Sequence, residues 1–280
     1  MRSGRLDTLH DIQSLDPDHD YEQIYRLTAC YEFPFDISLA LQMSFFRTYT
    51  IPSIAGKLAD TGEIGSRPVK RGEDTGLMLF EVIEHGFDHH RSRRVISAMN
   101  RMHRRFAISH DEYLFVLGVF CVPPMRWLRR YGWRAPCCHE VAACHAWYRH
   151  LARLMNIGDV PATFAELESW FDDYERCNSQ ATDQGRALMN ASHHLFRNRF
   201  PASLSGLGVL IGNALLDTHV RTALEYPSPF RPISWAINGM FQARRAYVRH
   251  LASPRTESAF RPGGETIGYP SGYGLHQLGA

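Results

Sequence analysis

Apolar residues recur through most of this chain at the three-and-four spacing of a helix face, and no convincing run alternates as a half-buried strand would. The Gly and Pro breaks between helical stretches are short, and no Gly/Ser linker cuts the middle. The pattern predicts an all-α fold in one globular helical domain over residues 22–252. A polar lead-in (1–21, ending DPDHDY) precedes it, and an irregular tail (253–280), rich in Gly, Pro and Ser, follows and packs on the domain. The 280 residues are ample for a sizeable core.

Local signals set expected boundaries. Asp36, after Phe33-Pro34-Phe35, reads as the N-cap of an apolar helix from Ile37 to Thr48. Ser109 to Glu112 and Thr163 to Glu166 each match a capping box. A helix from Asp111 to Phe120 is expected to be interrupted by Pro123-Pro124 and to resume from Met125 to Tyr131. Further helices are expected at His139–Met155, up to Cys177 from Thr163, and at Asp183–Phe200, Ser203–Leu224 and Pro232–Leu251.

Within this pattern, Arg71 to Phe106 reads as two helices joined at Gly86-Phe87-Asp88. The second puts Ile96, Met99, His103 and Phe106 on one stripe, so an imidazole is expected on the buried face. Such a histidine is either a hydrogen-bonded core residue, the commoner case, or a ligand. Haem iron needs a neutral imidazole, an apolar wall and cations for the propionates. Met99, Met102 and Phe106 could form the wall, and Arg101, Arg104 and Arg105 are the cations at hand. Arg71 and Thr75 lie one turn apart and could share a site. The plainer alternative has Thr75 packed on the stripe and Arg71 paired with Glu73 or Asp74.

Composition narrows the classes. A net charge of +2 and a pI near 8.2 give no broad field for nucleic acid, and no groove-reading motif accompanies the arginines. No apolar run reaches membrane-span length, although peripheral membrane contact suits an enzyme for greasy substrates. The six cysteines have no disulfide-framework spacing and the N-terminus has no signal core, so a cytoplasmic location is expected. Cys137-Cys138-His139 with Cys144-His145 is a zinc candidate without a C-x-x-C clip, so reduced structural cysteines are favoured. Glu81, Glu84 and His85 miss the Glu-x-x-His register of a carboxylate-bridged metal pair. Phosphate-binding loops, nucleophile elbows and covalent haem motifs are absent from the sequence.

Four segments carry a resemblance: YEFPFDISLALQMSFFRTYTIPSIAGKLADTGE, KRGEDTGLMLFEVIEHGFD, MNRMHRRFAISHDEYLFVLGVFCVPPMRWLRRYGWR and the closing YPSGYGLHQLG. Together they resemble the mpaB/rubber-oxygenase catalytic-domain family of latex-clearing-protein-like oxygenases, from about Tyr31 to the end. The resemblance implies an all-α, globin-like helical core holding one non-covalent haem b, with His103 as the iron ligand. It implies that Arg71 and Thr75 form the distal side, and Met99, Phe106, Arg101 and Arg105 on the His103 helix are the candidates for binding the haem. The implied partners are dioxygen and a small hydrophobic, isoprenoid-like substrate, oxidised or cleaved at a carbon–carbon double bond. The chain departs from the rubber-cleaving branch in carrying Asp74 where that branch has lysine, and Asn100 and Ala107 where it has arginines. Glu63 is the candidate for that branch's acidic base, and Asp74 joins the catalytic candidates by position. A non-catalytic haem- or hydrophobic-ligand-binding protein is the alternative.

Overall fold

The computed structural model describes residues 4–197 and 205–279, and among these it contains helices and no strand. Helices α1 (Asp7–Ser14) and α2 (Tyr21–Arg26) open the chain; α2 runs into a π-helical turn, Leu27–Glu32. Then come α3 (Pro34–Phe45), a 3₁₀ turn at Phe46–Thr50, α4 (Pro52–Asp60), α5 (Glu63–Ser66), α6 (Pro68–His85) and α7 (His90–His103). The second half holds α8 (His110–Tyr131), α9 (Cys138–Leu154), α10 (Phe164–Asn178), α11 (Asp183–Arg197), α12 (Ser205–Leu215), α13 (Thr218–Ala223) and α14 (Arg231–His250). The ends expected at Phe200 and Ser203 lie outside the described residues.

Helix α8 is the hub, packed on α3, α9 and α10. Its apolar residues are buried on nearly every side, and Phe115 stacks on Phe171 of α10 with ring centroids 5.2 Å apart. Gly118 permits that approach, because a Cβ there would meet the Phe171 ring at 2.8 Å. Each buried large apolar side chain contributes about 1.5–3 kcal/mol. That burial explains why Pro123-Pro124 does not interrupt α8, which corrects the expectation. The prolines remove two ladder donors, but both sit in the packed interior, where side-chain contacts outweigh the loss.

Other boundaries also move. Helix α3 starts at Pro34, which needs no N–H in the first turn, so Asp36 is not a cap. Its buried carboxylate instead takes both Nη groups of Arg244 on α14, at 3.0 and 2.9 Å. Burial nevertheless pushes the Asp36 pKa up. The segment read as one helix from Ser203 breaks before Asp217, the residue preceding α13, whose carboxylate pairs with Arg47. At α9 the cap is Cys137, whose N–H donates to Glu140 at 2.7 Å.

Buried charges are paired across elements. Arg134 bridges Glu32 (2.8 Å) and Glu140 (2.7 Å), and Arg47 donates to Glu175 at 2.6 Å. Removing one partner of such a pair strands the other and costs about 3–5 kcal/mol. These pairs tie the turns on either side of α3 to α9 and α10.

Candidate functional site

Helices α3 and α6 diverge enough to leave a cavity of about 590 Å³, within the size range of ligand pockets. Phe45 and Phe120 stack across part of its wall, and Phe80 stacks on Phe260 of the tail at 5.5 Å. Thr75 and Gly76 of α6 also face it, and Arg255 and Ile267 belong to its tail-side lining. The lining is mostly apolar, which suits a hydrophobic guest.

Thr75 links this cavity to a polar group. Arg71, one turn earlier on α6, donates from Nη1 to Thr75 Oγ1 at 2.7 Å, and its guanidinium lies 5.8 Å from the Phe45 ring. The Arg71 charge is also felt at His103, the last residue of α7. His103 is half-buried, its Nδ1 is enclosed without a hydrogen-bond partner among the described residues, and its ring meets Tyr113 edge-on at 5.6 Å. Burial first, and Arg71 second, push its pKa below the ordinary histidine value. The neutral imidazole is therefore favoured, which is the form that can bind a Lewis acid.

Other candidates face elsewhere. Asp74 is buried but turned to the tail, accepting from Lys70 Nζ (3.0 Å), Gly279 N (3.1 Å) and the Tyr269 hydroxyl. Glu63 forms an exposed ion pair with Arg67 at 2.6 Å, which holds its carboxyl below the usual range. Met99 is half-buried against the core. Arg101 is exposed and donates to Ser97 Oγ at 3.0 Å, and Arg105 is exposed beyond the helix end. Phe106, expected on the buried stripe, is 38% exposed, because α7 ends at His103 and the chain turns away. That corrects the reading of the stripe, which holds only for Ile96, Met99 and His103.

The residues of the rival metal readings are dispersed. Cys144 packs against Cys121 in the core, Cys138 is exposed, and His145 Nε2 bonds to the Pro161 carbonyl at 3.1 Å. Glu81 pairs with Arg91 at 2.7 Å, and Glu84 with Arg26 at 2.5 Å. No group of three or more His, Cys, Asp or Glu suited to a metal ion occurs among the described residues.

Tail contacts escaped periodicity altogether. Tyr273 donates to Glu81 at 2.8 Å, Ser258 to Glu84 at 2.6 Å, and Thr266 and Gly268 to Glu73 at 2.6 and 2.9 Å. Four carboxylates of α6 thus tie the tail down, and Phe260, Thr266 and Ile267 become part of the cavity wall. Tyr113, the neighbour of His103, was also missed, since an aromatic on another helix gives no local signal.

Fold and site define the class first: a helical domain with a mostly apolar cavity between α3, α6 and the tail, and a half-buried histidine at the end of α7. Residues 37–250 match the family described as ER-bound oxygenase mpaB/B′/Rubber oxygenase, catalytic domain, and the chain belongs to that family. Similar proteins include an ER-bound oxygenase mpaB′ of Penicillium brevicompactum, 24% identical over 251 residues covering 83% of this chain and 59% of the relative. The ER-bound oxygenase mpaB of the same organism is 26% identical over 245 residues, covering 78% of this chain and 60% of the relative. That of Penicillium roqueforti (strain FM164) is 25% identical over 228 residues, with 75% and 76% covered. The chain spans about three fifths of the length of the first two relatives. Among the described residues, no helix is long and apolar enough to cross a membrane.

Proposed function

We propose that the protein is a haem b-dependent oxygenase that oxidises or cleaves a carbon–carbon double bond of a hydrophobic, isoprenoid-like substrate with dioxygen. The observation that carries this reading is the enclosed, unbonded Nδ1 of His103, on an imidazole kept neutral beside Arg71. A core histidine without a ligand would be expected to satisfy its buried nitrogen. The neutral donor and the half-buried Met99 suit a non-covalent haem. His103 would hold the iron, while Arg101, Arg105 and Phe106 face solvent and could serve only the edge of the group. When bound, haem b supplies the oxygen chemistry.

This chain's residues do the rest. The mostly apolar cavity takes an unsaturated chain. Arg71, fixed by its bond to Thr75, keeps N–H groups available to an oxygen atom at that wall, and the Thr75 hydroxyl can donate in turn. Preset donors of this kind need no reorganisation as charge develops. Asp74 and Glu63 are engaged with the tail and with Arg67, so Arg71 and Thr75 carry the polar work at the cavity.

The test is oxygen uptake by pure, haem-loaded protein given isoprenoid alkenes, with Arg71→Ala alongside. Uptake and carbonyl products that vanish in Arg71→Ala, with haem retained, support the reading. Bound haem without uptake across a broad set of alkenes contradicts catalysis and favours a carrier.

A further inference from the structure

Helix α14 is surface-lying to an unusual degree. Of its residues only Ile237 and Phe241 are buried. Large apolar side chains are left outside instead, with Trp235 70% exposed and, just past the helix end, Leu251 75% exposed. Met240, Tyr247 and Leu251 are seven and four residues apart, so they fall along one edge, and all three are exposed. Arg245 and Arg249, one turn apart, mark the other edge. Between the edges the outward face carries Trp235, Ala236, Gly239, Gln242, Ala243 and Ala246, with His250 at the end.

The charge here is one-sided. From Tyr226 to Thr256 the chain holds Arg231, Arg244, Arg245, Arg249 and Arg255 and no acidic residue, although the whole chain carries only +2. Arg244 pairs with Asp36, whereas Arg231, Arg245, Arg249 and Arg255 form no ion pair among the described residues. Exposed aromatic and aliphatic groups interleaved with unneutralised arginines make the amphipathic face that settles at an anionic lipid interface. A face without any acidic residue does not neutralise itself when it meets its own copy, whereas an anionic lipid surface supplies the counter-charges.

Placement adds the second argument. Arg244 lies on the same edge as Met240 and Tyr247, and its guanidinium stacks 4.3 Å over the ring of Phe35. Phe35 is half exposed and lines the cavity, as do Arg255 and the exposed Ile267. The apolar edge of α14 therefore runs up to the cavity wall.

We propose that α14, with Leu251 and Arg255, lies flat in the interface of an anionic bilayer, so that a hydrophobic substrate passes from lipid into the cavity without crossing water. The route rests on reading the cavity as the substrate chamber. The docking does not, since vesicle binding is measured without substrate, haem or turnover.

The experiment is co-flotation of the full chain with vesicles of phosphatidylcholine alone or of phosphatidylcholine with phosphatidylglycerol. Flotation is expected only with the anionic vesicles and should weaken with added salt. Arg245→Glu with Arg249→Glu should lower partitioning by roughly tenfold or more. Trp235→Ser with Leu251→Ser should lower it as well, and circular dichroism and thermal midpoint should confirm that both variants fold. Wild-type protein that stays with the soluble fraction in both vesicle types overturns the proposal. So does flotation that survives both double substitutions, or concentration-dependent self-association through α14 in place of lipid binding.

Discussion

Arg71 and His103 sit on different helices, α6 and α7, yet the guanidinium lies close enough for its charge to help keep the imidazole neutral. The same Arg71 bonds Thr75 at the cavity wall. One arginine therefore couples the candidate ligand to the chamber where a substrate would lie.

If that coupling serves oxygen chemistry, Arg71→Ala should lower alkene-dependent oxygen uptake by about 10²-fold or more, the cost of losing one preset donor. Thr75→Val should lower it less, because Arg71 stays but is no longer fixed. Haem content per chain, measured by the pyridine haemochrome spectrum, should be unchanged in both. Unchanged uptake in Arg71→Ala would remove this residue from the mechanism.

The tail is expected to behave as a structural wall. Tyr269→Phe removes a hydroxyl shared between Asp74 and the Gln277 carbonyl, and Tyr273→Phe removes the donor to Glu81. Each should cost about 1–2 kcal/mol. Limited proteolysis should then cut between residues 253 and 279 faster than in the wild type. Asp74→Ala, which removes one acceptor shared by Lys70, Gly279 and Tyr269, should cost more than either.

Acid should loosen the same tail. Burial alone would raise the Glu81 pKa, but the hydrogen bonds from Arg91 and Tyr273 outweigh it and leave the value lowered from 4.5. A depressed carboxylate adds stability that is complete above the unfolded value and is lost as pH falls through the folded one. Hydrogen exchange of residues 266–279 should therefore accelerate as pH drops below about 4.5, after correction for intrinsic rates. Glu81→Gln should flatten that step and weaken protection at neutral pH.

Two glycines should respond in opposite senses. A Cβ at Gly185 would collide with the Tyr49 carbonyl oxygen, where α11 meets the 3₁₀ turn, so Gly185→Ala should cost about 2 kcal/mol or more. At Gly239 on α14 nothing lies within 4 Å, and Gly239→Ala should add about 0.5–1 kcal/mol through helix propensity. Thermal midpoints of the two variants check both.

Much of this architecture was legible from local chemistry. Ser109 with Glu112 and Thr163 with Glu166 announce α8 and α10, and both capping boxes form. Periodicity placed His103 beside Met99 and Ile96 correctly. It failed at Phe106, because nothing local marks the helix end that turns that ring outward. Asp36 was misread as a cap since its true partner, Arg244, is on a distant helix. The tail's bonds to Glu73, Asp74, Glu81 and Glu84 are equally non-local. Pro123-Pro124 obeyed tertiary packing over propensity. Arg71 and Thr75 were legible as neighbours on α6, but only the folded chain puts Thr75 on a cavity wall and brings the Arg71 charge to bear on His103.

The most direct test of the central claim is the absorption spectrum and iron content of the full chain, expressed with ample haem supply, beside His103→Ala. The account predicts a Soret band with one haem per wild-type chain, and loss of both band and bound iron in a folded His103→Ala variant. Wild-type protein that is folded, colourless and iron-free, or a His103→Ala variant that keeps an unchanged Soret spectrum, would contradict it.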